Sequence, residues 1–213
     1  MKTIPVLPLT EANREALRRH FLKLDEEDLR LRFEHVISEV ALMRYINTIN
    51  FDRDAVFGVF DGNLELAGVA HLGLCGETAE FGVSVAPGHR GEGVGTALYR
   101  RAYEYCRNHR IHTLFVHCLH ENAAMMHIAR KAGMEIETEA NEVEAHLRVP
   151  AGDPASITGE LIDDRVGLFD LALKSQFLAA RAIVEAMAEA AGTLVRPLQQ
   201  EEGGEPEKDK EAA

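Results

Sequence analysis

Val83-Ser84-Val85-Ala86-Pro87-Gly88-His89-Arg90-Gly91-Glu92-Gly93-Val94-Gly95-Thr96 is the stretch on which the reading of this chain turns. β-Forming residues run up to a proline, and alternate glycines then lead into a segment with helical periodicity. Glycines let a backbone adopt positive φ and approach a ligand closely. The free amides of the first helical turn, with the helix dipole, make a site for phosphate or pyrophosphate. Two glycines would serve a plain tight turn; three alternate ones between strand and helix argue for a ligand. The P-loop pattern needs Gly-Lys-Ser/Thr, and the turn holds no lysine. The dinucleotide pattern needs a glycine where Thr96 stands, and the first strand of a doubly wound unit rather than the third or fourth.

Outward from the turn, the N-terminal side reads as a short strand at 4–7 and a helix from Thr10 to about Leu24. A polar break follows at Asp25-Glu26-Glu27-Asp28, then Leu29-Arg30-Leu31-Arg32-Phe33, and a second helix capped by Ser38. Strands at 55–60 and 64–74 flank the turn Asp61-Gly62-Asn63, and a third strand covers 79–85. On the C-terminal side come a helix from about Gly93 to Asn108 and an apolar strand at 113–119. Asn122 then caps a short helix stopped by Gly133, and a hairpin turns around Ala140-Asn141. A meander followed by strand-helix-strand-helix-strand predicts an α+β (α/β mixed) fold with one central mixed sheet flanked by helices.

Beyond the linker 150–155, Ile162, Val166, Phe169, Leu173, Phe177, Ala180, Val184 and Met187 step by three or four. The segment 156–196 therefore reads as a long amphipathic helix, its 162–187 stripe roughly 40 Å long at 1.5 Å per residue. The stripe either packs on its own domain or forms a homodimer interface. The acidic residues 197–213 read as a disordered tail.

Length and composition bound the function. A chain of 213 residues can bury one full core. Its net charge of −12, of which the tail from Gln200 carries −4, argues against nucleic acid as partner. No apolar run approaches a membrane span, the start lacks a signal-peptide core, and three cysteines make no disulfide framework. A reduced, cytoplasmic setting without membrane attachment is expected. His112, His117, His120 and His127 lack the paired spacing of a zinc site, so no metal is expected.

Arg90, Gly93 and Gly95 follow the pattern arginine, two residues, glycine, one residue, glycine, and Asn122 through Met134 begins with asparagine and ends in glycine plus a bulky apolar residue. Together these resemble the coenzyme A loop and second motif of the GCN5-related N-acetyltransferase (GNAT) superfamily, over roughly 4–149. The resemblance implies acetyl-CoA as cosubstrate and transfer of its acetyl group to a primary amine: a small molecule, a lysine or an N-terminus. It implies that amides of Arg90, Gly91, Glu92, Gly93, Val94, Gly95 and Thr96 hold the pyrophosphate. Main-chain groups of Val83 and Val85 would pair with the pantetheine arm, and Asn122 would bond to it. Glu80 is the expected base, ahead of His71 and Glu77. Many members carry a tyrosine seven residues after the motif asparagine to protonate the leaving thiolate; here Ala129 stands there. His127, Cys118, His117 and Tyr45 are the possible substitutes. Loss of that group keeps open a second reading, a catalytically weakened CoA-binding regulatory or scaffold protein.

Overall fold

The computed structural model describes residues 3–139 and 142–195, with side chains to residue 190. Seven strands form one sheet in the order β1-β2-β3-β4-β5-β7-β6. They are β1 (Leu7–Pro8), β2 (Ala55–Phe60), β3 (Leu66–Cys75), β4 (Thr78–Val85), β5 (Thr113–Leu119), β6 (Glu135–Glu139) and β7 (Glu142–Arg148). Only β4 and β5 run parallel; every other pair is antiparallel. The expected hairpins and mixed sheet are present, with the opening strand shifted from 4–7 to Leu7–Pro8. The turn residues Ala140 and Asn141 and the tail from 197 lie outside the described residues.

Helices α1 (Arg14–Leu22) and α3 (Glu39–Thr48) cover one face of the sheet, where Leu17, Phe21, Leu42 and Ile46 bury against Val56 and Val69. On the other face, Leu98 and Ala102 of α4 (Val94–Asn108) and Ile128 of α5 (Ala123–Ala132) pack on Phe57, Phe81 and Leu114. Alternation along β4 sends Phe81 and Val83 towards α4 and Gly82 and Ser84 to the opposite face.

One helix escaped the reading of the sequence. The stretch taken as a polar break opens α2 (Glu26–Phe33). Asp25 accepts from the Asp28 amide at 2.8 Å and Asp28 reaches back to the Asp25 amide at 3.4 Å, a capping box built from two aspartates. The last helix, α6, runs from Pro154 to Val195, and the division between two compact units falls within it, after Ala172. In the first unit its inward face is mixed, with Leu171 packed on the cluster around Leu7 and Gly167 lying against Leu7. Glu160 and Asp164 bind the buried Arg101 guanidinium at 2.9 and 2.7 Å, while the apolar Leu161, Ile162 and Phe169 are exposed. Within the first unit the stripe residues Ile162, Val166 and Phe169 are therefore not the docked face. In the second unit Leu173, Phe177, Val184 and Met187 are exposed.

His20 of α1 ties the helix layer to the sheet. Its ring is 1 % exposed, with Nδ1 2.8 Å from the Leu66 carbonyl and Nε2 2.8 Å from Ser84 Oγ. A carbonyl only accepts, so Nδ1 carries the proton and Nε2 accepts from the serine hydroxyl. Burial pulls the His20 pKa down to about 4. The unfolded chain binds a proton near 6.5 that the folded chain refuses, so stability is complete above pH 6.5 and falls as pH drops towards 4. Urea unfolding should show wild type losing about 3 kcal/mol more than His20→Gln between pH 7 and pH 4. Parallel losses in the two proteins would remove His20 as the cause.

Candidate functional site

The cleft follows from how two strands part. Parallel pairing of β4 with β5 covers only Thr78 to Glu80 against Thr113 to Phe115. From Phe81 onward β4 pairs with β3 alone, and from Val116 onward β5 pairs with β7 alone. One edge of Phe81–Val85 thus keeps main-chain donors and acceptors unpaired in the sheet, the requirement for adding an extended, amide-bearing ligand as a strand. A cavity of about 570 Å3 occupies this gap. Val83 and Val85 line one side, Asn122, Met125 and Ile128 of α5 another, and Leu31 and Arg32 of α2 a third.

The glycine turn closes one end. After a 3-10 turn at Pro87–His89 the backbone reaches Gly91 (φ 75°) and Gly93 (φ 86°), both left-handed, and Gly93 is the N-cap of α4. No capping side chain covers the first turn of α4, so its free amides face the cavity lined by Gly93, Val94, Gly95 and Thr96. Arg90 reaches Asp28 of α2, and Glu92 pairs with His89 at 3.2 Å. The mutual placement of Arg90, the glycines and the β4 edge is what a pyrophosphate followed by an extended arm requires.

Asn122 has a structural role as well. Its Oδ1 accepts from the Met125 amide at 3.0 Å, and its Nδ2 donates to the Leu31 carbonyl at 3.2 Å. That leaves one amide hydrogen for a ligand and makes Asn122 the clamp between α5 and α2.

At the other end, residues from β4, β5, β7 and the end of α2 come together. Glu80 is largely exposed, with its Oε1 3.7 Å from His117 Nδ1, whose Nε2 is 3.7 Å from Glu144. Glu34, left-handed at the end of α2, is half-buried. Burial lifts its carboxyl above the usual range, opposed by His117 and Arg32 and reinforced by Glu142 and Glu80. Sequence reasoning passed over Glu34, and only its position after the Leu-Arg-Phe run marks it. Cys118 faces the core, where burial pushes its thiol up to about 11, unsuited to serve as a thiolate. Ala129 is buried at 1 % exposure, and His127, two residues before it, lines the cavity. Tyr45 and His71 lie deeper, linked to Arg32. No group of three or more metal-ligating side chains occurs among the described residues, and no described helix is long and apolar enough to cross a membrane.

The model of the acetyltransferase (GNAT) family matches residues 17–134, more than half of the chain, so the chain belongs to that family. Solved structures agree on the fold. The GNAT domain of PAT from S. lividans is 20 % identical with a TM-score of 0.59, the match covering 69 % of this chain and 94 % of that one. The spermidine N-acetyltransferase from Vibrio cholerae, in complex with CoA and spermine, is 20 % identical with a TM-score of 0.57, covering 69 % and 96 %. The ribosomal-protein-S18-alanine N-acetyltransferase from Escherichia coli is 16 % identical with a TM-score of 0.55, covering 70 % and 96 %.

Gly95→Asp tests the placement of the anion. Gly95 is helical, and an added Cβ would stand 3.5 Å from Ile128 Cδ1 and 3.7 Å from Val85 Cγ2, ordinary contact distances. The carboxylate should weaken acetyl-CoA binding at least about tenfold by calorimetry, while thermal unfolding changes little. Unchanged affinity would move the anion away from this turn.

Proposed function

We propose that the chain is an N-acetyltransferase that moves an acetyl group directly from acetyl-CoA to a primary amine within a ternary complex. The observation that carries this reading is the free edge of β4, which leads from the glycine turn to Glu80. With the pyrophosphate on the amides of residues 90–96, the pantetheine arm runs back past Val85 and Val83, and its thioester ends beside Gly82. Glu80 lies two residues further, on the open acceptor side.

In the reaction the amine nitrogen attacks the thioester carbonyl, an N–C bond forms, and the C–S bond breaks with its electron pair passing to sulfur. Glu80, directly or through water, takes the proton that the nitrogen loses. The carboxylates of Glu34, Glu80, Glu142 and Glu144 around this end suit a cationic acceptor, whether a polyamine-like molecule or an amine on a protein. Structures of like fold act on spermidine and on a ribosomal-protein alanine by their names, which spans both kinds. Three free cysteines fit a reducing cytoplasm.

Calorimetry with acetyl-CoA, combined with detection of released thiol over polyamines and peptides bearing lysine or a free N-terminus, tests the proposal. Binding with thiol release is expected. Glu80→Gln should retain cofactor affinity and lower kcat by about 100-fold. The buried Ala129 favours a second reading, a CoA-binding regulatory protein. Tight binding with no thiol release from any amine would select it.

The exposed apolar side chains of α6 support a homodimer through that helix, since large apolar faces seldom stay in water. Light scattering should give twice the chain mass, falling to one chain mass on Leu161→Glu combined with Phe169→Glu.

A further inference from the structure

Arg32 is a cation at the thioester end of the cavity with no ion-pair partner among the described residues, its charge reaching the Glu34 carboxyl only at longer range. Among the described residues no carboxylate lies within ion-pair distance of its guanidinium, although Arg30, two residues earlier on α2, pairs with both Glu27 and Glu121. The Arg32 guanidinium lies against the backbone of Gly82. A Cβ at that position would overlap its terminal nitrogens, so the glycine makes room for the arginine. Gly82 sits between Glu80 and Val83, where the proposed track of the pantetheine ends.

The guanidinium is held from behind. Arg32 Nη2 donates to Tyr45 Oη at 3.1 Å, and Tyr45 Oη lies 2.9 Å from His71 Nδ1. His71 Nε2 is 3.3 Å from Asp54 Oδ2, close but poorly aligned, and Asp54 is gripped by Arg53 at 2.8 and 2.9 Å. Only one proton assignment satisfies the chain. Nε2–H faces the Asp54 carboxylate, the Tyr45 hydroxyl donates to Nδ1, and its oxygen accepts from Arg32. Burial, followed by the Arg32 charge, pulls the His71 pKa below its ordinary value, which keeps the ring neutral in that role. Burial raises the Tyr45 hydroxyl above its ordinary pKa. Stacking adds to the grip, since the guanidinium lies 5.1 Å from the Phe33 ring centroid and 5.9 Å from that of Tyr45.

We propose that Arg32 receives the negative charge that forms on the coenzyme A sulfur as the C–S bond breaks, in the place of the proton donor that Ala129 cannot supply. Tyr45, His71 and Asp54 are positioning residues for it. Arg32 keeps its proton throughout, since a guanidinium is not deprotonated in a protein. The sulfur leaves as a thiolate paired with the guanidinium, and water later protonates it. The inference rests on the proposed acetyl-CoA site.

A test that needs no acceptor is the pKa of the CoA thiol in the complex, followed through thiolate absorbance with the ligand-free protein subtracted. A free thiol titrates near 8.5. In wild type the bound thiol should titrate at least about one unit lower, and in Arg32→Gln it should return to the free value with CoA affinity at pH 7 changed less than about threefold. Tyr45→Phe should give an intermediate value. With an acceptor in hand, Arg32→Ala should lower kcat by about 100-fold, partly restored by added guanidinium ion. An unshifted thiol in wild type, or the same shift in Arg32→Gln, overturns the inference and leaves the cofactor site standing. Absence of CoA binding to wild type overturns the cofactor assignment, and this inference with it.

Discussion

The whole site depends on the end of pairing between β4 and β5. Parallel strands need a crossover connection, here α4, and the turn that starts α4 must begin where β4 ends. Because the two strands share only three pairs, the last five residues of β4 leave the sheet with one edge open. An exposed edge is normally a liability. Here α2 on one side and α5 on the other cover the gap, so the edge stays inside a cleft where a foreign strand is not admitted but an extended ligand fits. Sheet register, loop position and cleft are therefore consequences of one divergence.

The divergence must be held open, and polar contacts do this. Asn122 joins α5 to α2, Arg90 joins the glycine turn to α2, and His20 joins α1 to Ser84 within the divergent part of β4. An apolar plug in these places would give similar stability but would fill the space. A neutral hydrogen bond contributes roughly 0.5–1.5 kcal/mol net and one between charged groups roughly 1.5–3, so the Asn122 and Arg90 contacts together help fix α2 over the gap. The two hydrophobic clusters, one on each face of the sheet, supply the bulk of the stability without entering the cleft.

Much of this was legible in the residues, and the missing parts have physical causes. The strand boundaries at Ala55–Phe60 and Thr113–Leu119 follow from β-branched and aromatic runs bounded by turns, and Gly133 ends α5 with φ 70° as its place after Lys131-Ala132 implied. Helix α2 was hidden because its eight residues lack an apolar stripe, and its start is fixed by a local capping box of acids that reads as polar loop. The spacing of apolar residues in α6 identified the helix but not the face that docks. The docked face is held by Glu160 and Asp164 on Arg101, and charges read from sequence default to solvent. Tyr45, Asp54 and His71 belong to α3, the turn before β2, and β3, so only the fold brings them to Arg32.

The contrast between the two ends of the cleft explains why one was readable and the other was not. The glycine-turn end is made of backbone, and backbone conformation is written in the sequence as glycines at 91 and 93 and a helix start at 94. Only a narrow set of residues permits φ of 75° and 86°, so the pattern is local and continuous. The opposite end, where the proposed reaction falls, is made of side chains that approach one point from separate elements. A group that meets the leaving sulfur could be supplied there from α5, where the family resemblance implies a tyrosine at the place of Ala129, or from α2, provided the β4 residue beneath it is small. Gly82 meets that condition, which makes a glycine in the middle of a strand and an alanine in the middle of a helix two sides of one rearrangement.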